Sequence, residues 1–228
     1  MMTSVDKLLE TFSGTTPIMP LPDFVFFPHT VQPLHFFEPR YLDMLQDCLA
    51  DEHLVTIPLL KEKGAEKTGQ PPPFHEIATM GYINRAERLN DDTYQVLITG
   101  LVKVQVVEVD STKAYRRGAI TPVPEFSHVT DGQKKLQGTL RLFKTVLEKA
   151  HSGFNLEIFT EEGVSVEMTT HSIISALPIE PAQKQKMLEL QSLELRLEIL
   201  FNFLQSGLHS IRALERFNPL MPTNPLWN

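Results

Sequence analysis

The sequence has little cysteine, a deficit of basic residues and no long apolar run. Its single cysteine, Cys48, excludes an internal disulfide framework and a zinc site with four cysteine ligands. The 21 Lys and Arg residues are outnumbered by 28 Asp and Glu residues, and the net charge of −7 disfavours attraction to nucleic acid or an anionic membrane. No run is long enough to span a membrane, and residues 1–14 lack the apolar segment of a secretion signal. We therefore expect a cytoplasmic protein with no membrane partner.

Motifs for nucleotide, metal or acyl-transfer chemistry are also missing. Gly64 and Gly69 have the spacing of a phosphate-binding loop, but Gln70 and Pro71 stand where Lys and Ser or Thr are needed. A string that begins like a zinc-protease motif at His75 has threonine in place of the second histidine. No Gly-x-Ser-x-Gly elbow occurs. We expect no catalytic residues, no bound metal and no cofactor.

The apolar pattern changes near residue 130. Residues 17–125 contain short runs that predict antiparallel strands around one inserted helix, an arrangement typical of a small β-barrel. From residue 131 onward the apolar spacing is helical. The sequence therefore predicts an α+β protein. Its expected parts are a flexible N-terminus (1–16), an antiparallel β-barrel (17–125), an α-helical bundle (131–217) and an irregular tail (218–228).

Individual elements follow from the same periodicities. The predicted strands are VQPLHFF, LVTIPLL, IATMGYINRAERL, TYQVLITG, LVKVQVVEV and AYRRGAITPV, with Gly100 as a turn between the fourth and fifth. The inserted helix begins near Pro39 and places Cys48 on its apolar face, which indicates a core residue and not a reactive thiol. The last predicted helix runs from about Ala182 to Gln205. Its leucine spacing fits a coiled-coil seam or, preferably, packing in a helical bundle.

The stretch FEPRY joins a predicted strand to the inserted helix. Glu38 lies near the helix N-terminus, where the helix dipole favours a negative charge. Arg40 is placed to pair with Glu38 or with an acidic group across the barrel. The favoured interpretation is an architectural corner. The alternative is a binding groove beside it, formed by Phe36, Phe37, Arg40 and Tyr41, because exposed aromatic residues next to an arginine are typical peptide anchors.

A second candidate site is basic. Arg85 and Arg88 lie on one predicted strand, and Arg116 and Arg117 lie on another beside Tyr115. If the strands are neighbours, these side chains form a small positive patch of the kind by which β-barrels bind RNA. The overall negative charge favours a solvated strand face over a nucleic-acid site.

Three stretches, which follow one another along the chain in the expected order, resemble the N-terminal domain of the Lon protease family. MPLPDFVFFPHTVQPLHFFEPRYLDMLQDCL is similar to the opening of that domain, and HEIATMGYINRAERLNDDTYQVLITGLVKVQVVEV is similar to its central strands, with Lys103 where arginine is usual. ALPIEPAQKQKMLELQSLELRLEILFNFL resembles the helix pair that follows. The resemblance covers roughly residues 17–206.

The resemblance implies a pseudouridine-synthase-and-archaeosine-transglycosylase-like (PUA-like) β-barrel joined to a helical bundle. It also implies a role in recognising substrates, without the ATPase and peptidase domains of full-length Lon, as in stand-alone substrate-binding-domain proteins. The leading hypothesis is therefore a non-enzymatic module that binds polypeptide segments or a protein partner, with an exposed sheet edge as the means of binding. RNA binding is the alternative, and homo-oligomerisation stays open.

Overall fold

The computed structural model describes residues 4–61, 71–149 and 165–217. The predicted tail at 218–228 lies outside this range. The helices are α1 (Ser4–Thr11), α2 (Pro39–Ala50), α3 (Gly132–Lys149), α4 (Val166–Ala176), α5 (Pro181–Glu189) and α6 (Leu193–Phe217). The strands are β1 (Thr15–Ile18), β2 (Val31–Phe36), β3 (Leu54–Ile57), β4 (Ile77–Arg88), β5 (Tyr94–Val109) and β6 (Arg116–Pro122).

The six strands form one sheet in the order β2-β5-β4-β3-β1-β6. Because β6 also pairs with β5, the pairings of β1, β3, β4, β5 and β6 return on themselves, and β2 adds to one half of β5. The expectation of a purely antiparallel sheet is wrong at one place. β1 and β3 pair in parallel through Ile18 and Thr56, and the crossover that parallel strands require is supplied by the chain through β2 and α2.

β5 is one continuous strand of 16 residues, so the predicted turn at Gly100 is wrong. Its first half pairs with β2 over Tyr94–Thr99, and its second half pairs with β6 over Val104–Val109. Gly100 marks the change from one partner to the other. The glycine therefore serves a close backbone approach within a strand, a role that periodicity alone does not distinguish from a turn.

The backbone of residues 27–30 packs directly on Gly100. The His29 N–H donates to the Gly100 carbonyl at 2.8 Å, and the Gly100 N–H donates to the Thr30 carbonyl at 2.9 Å. A Cβ atom at position 100 would lie 2.3 Å from the Phe27 carbonyl oxygen. Because the obstructing atom belongs to the backbone, only glycine fits at this position.

The main core lies between the sheet and one face of α2. That face contributes Tyr41, Met44, Leu45 and Cys48, of which helical spacing predicts Tyr41, Leu45 and Cys48. Burial raises the pKa of the Cys48 thiol to about 12, and the thiol donates to the Leu54 carbonyl at 3.3 Å. The prediction that Cys48 is a core residue is confirmed.

The N-terminal residues differ from expectation. In place of a flexible N-terminus at 1–16, the structure has α1 and the start of β1. Leu8, Leu9 and Phe12 pack against a second core cluster that includes Ile18 and Met80. The apolar side chains of α1 have a surface to bury against, and this burial orders the segment.

The predicted division into a barrel at 17–125 and a bundle at 131–217 also needs correction. One compact unit consists of Met1–Phe126 together with His171–Gln191, and the other consists of Ser127–Thr170 together with Ser192–Asn228. Residues 171–191 therefore belong with the strands. The Gln185 side chain shows why, since its Nε2 donates to the Ile77 carbonyl of β4 at 2.9 Å.

The single helix expected from Ala182 to Gln205 is two helices, α5 and α6. Leu190 has extended backbone angles, φ −62° and ψ 133°, and its carbonyl accepts from Lys103 Nζ at 2.7 Å. Ser192 then caps the N-terminus of α6, since its hydroxyl oxygen accepts the Leu195 N–H at 3.3 Å. The leucine periodicity continues across this break and concealed it.

The second unit contains α3 packed against α6. The apolar side chains that α3 and α6 bury are Leu136 and Phe143 on α3 and Leu193, Leu197, Leu200, Leu204 and Leu208 on α6. The leucine seam therefore has a partner helix within its own unit. None of the described helices has the length and apolarity needed to cross a membrane.

Replacing Gly100 tests the contact with Phe27. We expect Gly100→Ala to lower the free energy of unfolding by about 2–3 kcal/mol, because the added methyl overlaps a backbone oxygen. Urea unfolding followed by circular dichroism measures this loss. Gly207→Ala is the matched control, since a Cβ at this helical glycine meets nothing within 4 Å, and it should be neutral or slightly stabilising. Equal stability of both variants would contradict the prediction.

Lys103 offers a test of the buried charge. Its side chain is 2% exposed and its Nζ lies 3.1 Å from Glu125 Oε2. We expect Lys103→Met to lower the free energy of unfolding by about 3–5 kcal/mol, because the Glu125 carboxylate, only 12% exposed, loses this cation. The double variant Lys103→Met/Glu125→Gln should lose less unfolding free energy, measured in urea, than Lys103→Met alone. A double variant that is less stable than the single one would contradict the charge explanation.

Candidate functional site

The FEPRY corner is held by a local ion pair. Arg40 Nε donates to Glu38 Oε2 at 2.8 Å, and Arg40 Nη2 lies 2.7 Å from the same oxygen. The Glu38 carbonyl accepts the N–H groups of Tyr41 and Leu42, and Pro39 occupies the first turn of α2. The Arg40 guanidinium also lies 4.7 Å from the centroid of the Tyr41 ring. The predicted pairing of Arg40 with Glu38 is confirmed.

An apolar groove of about 190 Å³ lies beside the corner. We use "apolar groove" for the space lined by Met19, Leu21, Leu34, His35, Phe36, Phe37, Glu38 and Tyr41. Phe36 is buried, whereas Phe37 at the rim is 61% exposed. The structure brings Phe36, Phe37 and Tyr41 together here, and Arg40 is outside the lining. A binding role for these residues stays a prediction.

The groove adjoins an edge of the sheet. β2 pairs with β5 on one side, and no other described strand pairs with its second side. β2 also contains Pro33, a residue that sheets tolerate at an edge, and Val31, which is largely exposed. Its free backbone groups are therefore available to an added strand.

The four arginines of the predicted basic patch are not brought together. Arg85 pairs in register with Leu97 of β5, and Arg117 pairs with Val109 of the same strand. Leu97 and Val109 are twelve positions apart along β5, a separation of up to about 40 Å.

Each pair of arginines also has local partners. Arg85 pairs with Glu87 at 2.9 Å and Arg88 with Asp92 at 2.7 Å. Arg116 makes two contacts of 2.6 Å with the Glu108 carboxylate. Arg117 Nη2 donates to the Thr15 hydroxyl at 2.9 Å. The condition for a nucleic-acid patch, that the two strands place these side chains side by side, is not met.

Sequence reasoning missed a polar pocket of about 250 Å³ at the C-terminal end of α2. We use "polar pocket" for the space lined by Thr15, Pro17, Asp47, Cys48, Asp51, Glu52, Leu54, Lys113, Tyr115 and Arg117. Tyr115 Oη donates to Asp47 Oδ2 at 2.5 Å, and Lys113 Nζ lies 2.9 Å from the same oxygen. The signal in the sequence was the pair Asp47 and Asp51, four positions apart at the C-terminal end of α2.

Two further carboxylates complete the polar pocket. Glu52 accepts the Ser13 N–H at 3.0 Å and the Ser13 hydroxyl at 3.2 Å. Asp51 is the C-cap residue of α2 and is exposed. The lining thus contains three carboxylates and two cations, Lys113 and Arg117.

The hydrogen bond between Tyr115 and Asp47 changes the pKa of both side chains. The Tyr115 hydroxyl and then Lys113 hold the pKa of the Asp47 carboxyl below its usual value. Burial, followed by the hydrogen bond to Asp47, raises the pKa of Tyr115 to about 12. At neutral pH the pair is therefore a carboxylate and a protonated phenol.

Alkaline titration tests this pair. The raised pKa means that the folded protein binds the Tyr115 proton more tightly than the unfolded chain, so its stabilising effect is complete below pH 10 and is lost as the pH rises toward 12. Tyrosinate absorbance at 295 nm should show a phenol that titrates near 12, and Tyr115→Phe should remove it. Tyr82→Phe, a change outside the polar pocket, should retain it. Survival of the late step in Tyr115→Phe would refute the assignment.

Comparison with known proteins identifies the family to which this chain is similar. The family described as the ATP-dependent protease La (LON) substrate-binding domain matches residues 15–206 of this chain. The chain is 24% identical over 215 residues to a Lon protease of Chloroherpeton thalassium and 29% identical over 198 residues to Lon protease 2 of Desulfotalea psychrophila. These matches cover 93% and 83% of this chain, but only 26% and 25% of the relatives. The chain thus spans about a quarter of their length.

Solved structures agree on the fold. The N-terminal domain of a Mycobacterium avium complex Lon protease superposes with a TM-score of 0.63 at 16% identity, covering 84% of this chain and 98% of that one. A Lon N-terminal domain protein from Xanthomonas campestris superposes with a TM-score of 0.59 at 18% identity, covering 82% of this chain and 97% of that one. Because the family model matches most of the chain, residues 15–206, the chain belongs to the LON substrate-binding domain family.

Proposed function

We propose that this protein is a non-catalytic module that binds extended or unfolded polypeptide segments. The observation that carries the proposal is the apolar groove beside the unpaired edge of β2, with the exposed ring of Phe37 at its rim. The family description names a substrate-binding domain of a protease, which supports polypeptide as the ligand class.

Two kinds of contact would hold such a segment. Its backbone would pair with the free edge of β2, as in other proteins that bind peptides by strand addition. An apolar side chain would enter the groove against Phe37 and Tyr41. The groove volume of about 190 Å³ suits one large side chain. Burying one such side chain contributes about 1.5–3 kcal/mol. The main-chain hydrogen bonds add affinity that depends little on the peptide sequence.

The closed circuit of strand pairings forms the frame for this site. We propose that β1, β3, β4, β5 and β6 are the PUA-like barrel that the family resemblance implies, with β2 as an added edge strand. A frame of this kind holds β2 in place while leaving its outer side open.

The proposal includes no chemistry on the bound polypeptide. The only cysteine, Cys48, is buried, and its pKa of about 12 keeps the thiol protonated at neutral pH. Tyr115 is likewise a protonated phenol at neutral pH.

Replacing Phe37 tests the proposed site. We expect Phe37→Ala to weaken binding of a fluorescein-labelled, reduced and alkylated protein by about 10-fold in an anisotropy titration, since hot-spot aromatic residues contribute at least this much. Phe126→Ala is the matched control, because Phe126 is 64% exposed and does not line the groove.

The two variants must also fold alike. Phe37 contributes little buried surface, so circular dichroism and thermal unfolding should match the wild type. Equal affinity of Phe37→Ala and wild type, with both folded, would exclude the apolar groove as the site. Absence of binding by the wild type to unfolded polypeptides would exclude the proposed function.

A further inference from the structure

We propose that the polar pocket binds a basic side chain of the same polypeptide, a lysine or arginine two to four residues from the side chain that fills the apolar groove. The inference rests on the proposed function and adds to it a preference in sequence. It assigns a role to the polar pocket, which is not part of the strand edge or the apolar groove.

The groove and the pocket are lined by the same two segments of chain. α2 contributes Tyr41 to the groove and Asp47 to the pocket, while the segment that begins with β1 contributes Met19 to the groove and Thr15 to the pocket. Along α2 the groove residues precede the pocket residues in sequence, whereas along the other segment the pocket residues come first. The two segments run in opposite directions, with the groove at one end and the pocket at the other.

The separation of the two cavities suits a short extended peptide. Along α2, the step from Tyr41 to Cys48 is seven residues, or about 10 Å. Along the other segment, the steps from Pro17 to Met19 and to Leu21 give about 7–13 Å. Two to four residues of an extended polypeptide cover the same distance.

The charges of the polar pocket favour a cation. Asp47, Asp51 and Glu52 face Lys113 and Arg117, which leaves one net negative charge. The last carbonyl groups of α2 add a partial negative charge at this end of the helix. A ligand carboxylate would meet three carboxylates, whereas an ammonium or guanidinium group would relieve their repulsion.

The carboxylates differ in their freedom to bind. Asp47 already accepts from Tyr115 and Lys113, and both Glu52 oxygens accept from Ser13. Asp51 is exposed at the end of α2, and we assign it the contact with the ligand cation. A bare divalent metal ion would need several converging oxygen ligands. The engaged oxygens of Asp47 and Glu52 favour an organic cation over such an ion.

Labelled peptides measure this preference on the full chain. Each ten-residue peptide carries one phenylalanine, uncharged polar residues, and lysine, glutamine or glutamate two, three or four positions away. We expect the best lysine peptide to bind about 5-fold tighter than its glutamine partner at low salt, and the glutamate peptide to bind weakest. Asp51→Asn should reduce the lysine-to-glutamine ratio to nearly one. Asp43→Asn, which removes an exposed carboxylate of α2 outside the pocket, should preserve the ratio.

A second measurement separates this inference from the proposed function. N-acetyl-lysine amide and N-acetyl-arginine amide, titrated by NMR, should shift the backbone signals around Tyr115 in the wild type and not in Asp51→Asn. Peptides that bind through Phe37 without a lysine preference, or with one that Asp51→Asn retains, would overturn the inference and leave the proposed function standing. Shifts by the amides without any peptide binding would support the pocket and defeat the proposed function. No response to either probe would defeat both.

Discussion

The compact unit that contains the six strands depends on the contact between Gly100 and the backbone of Phe27. Two hydrogen bonds, from His29 to Gly100 and from Gly100 to Thr30, fix the loop that leads into β2 against the middle of β5. β5 can then pair with β2 before this point and with β6 after it. Since β2 ends at Phe36, the same contact determines where the aromatic residues of the groove meet α2. One missing side chain thus sets the position of the candidate site.

α2 supports different electrostatics at its two ends. At the N-terminus, the Glu38 carboxylate lies where the helix dipole favours it, and its pairing with Arg40 is local. At the C-terminus, Asp47 and Asp51 lie where the dipole opposes them. Lys113 and Tyr115, in the segment just before β6, provide the partners of Asp47. The first end is balanced by its own sequence neighbours. The second depends on distant residues and retains an excess of negative charge, which is why only this end suits a cationic ligand.

The sequence predicted the structural features that are set by residues close together along the chain. It missed the features that depend on contacts between residues far apart in sequence. The start of α2 at Pro39, the burial of Cys48 and the pairing of Arg40 with Glu38 follow from helical spacing and proximity. The prediction of a turn at Gly100 was wrong. Apolar and polar residues alternate before and after this glycine, and the same alternation is found whether a glycine forms a turn or makes room for another backbone segment. The break at Leu190 was hidden because apolar spacing continues through it, although Ser192 is a recognisable N-cap. The polar pocket joins residues 68 positions apart, and no local pattern reports such a pairing.

The FEPRY corner separates into architectural and exposed residues. Glu38, Pro39 and Arg40 turn the chain into α2, so a loss of binding on changing them has two explanations, a damaged corner or a lost contact. Phe37 is different, because a ring that is 61% exposed gains little from burial and contributes little to folding. Its hydrophobic surface is unused by the folded strand unit and adjoins a groove and a free strand edge. For that reason Phe37, and not the charged pair at its side, is the residue at which binding can be measured independently of the fold.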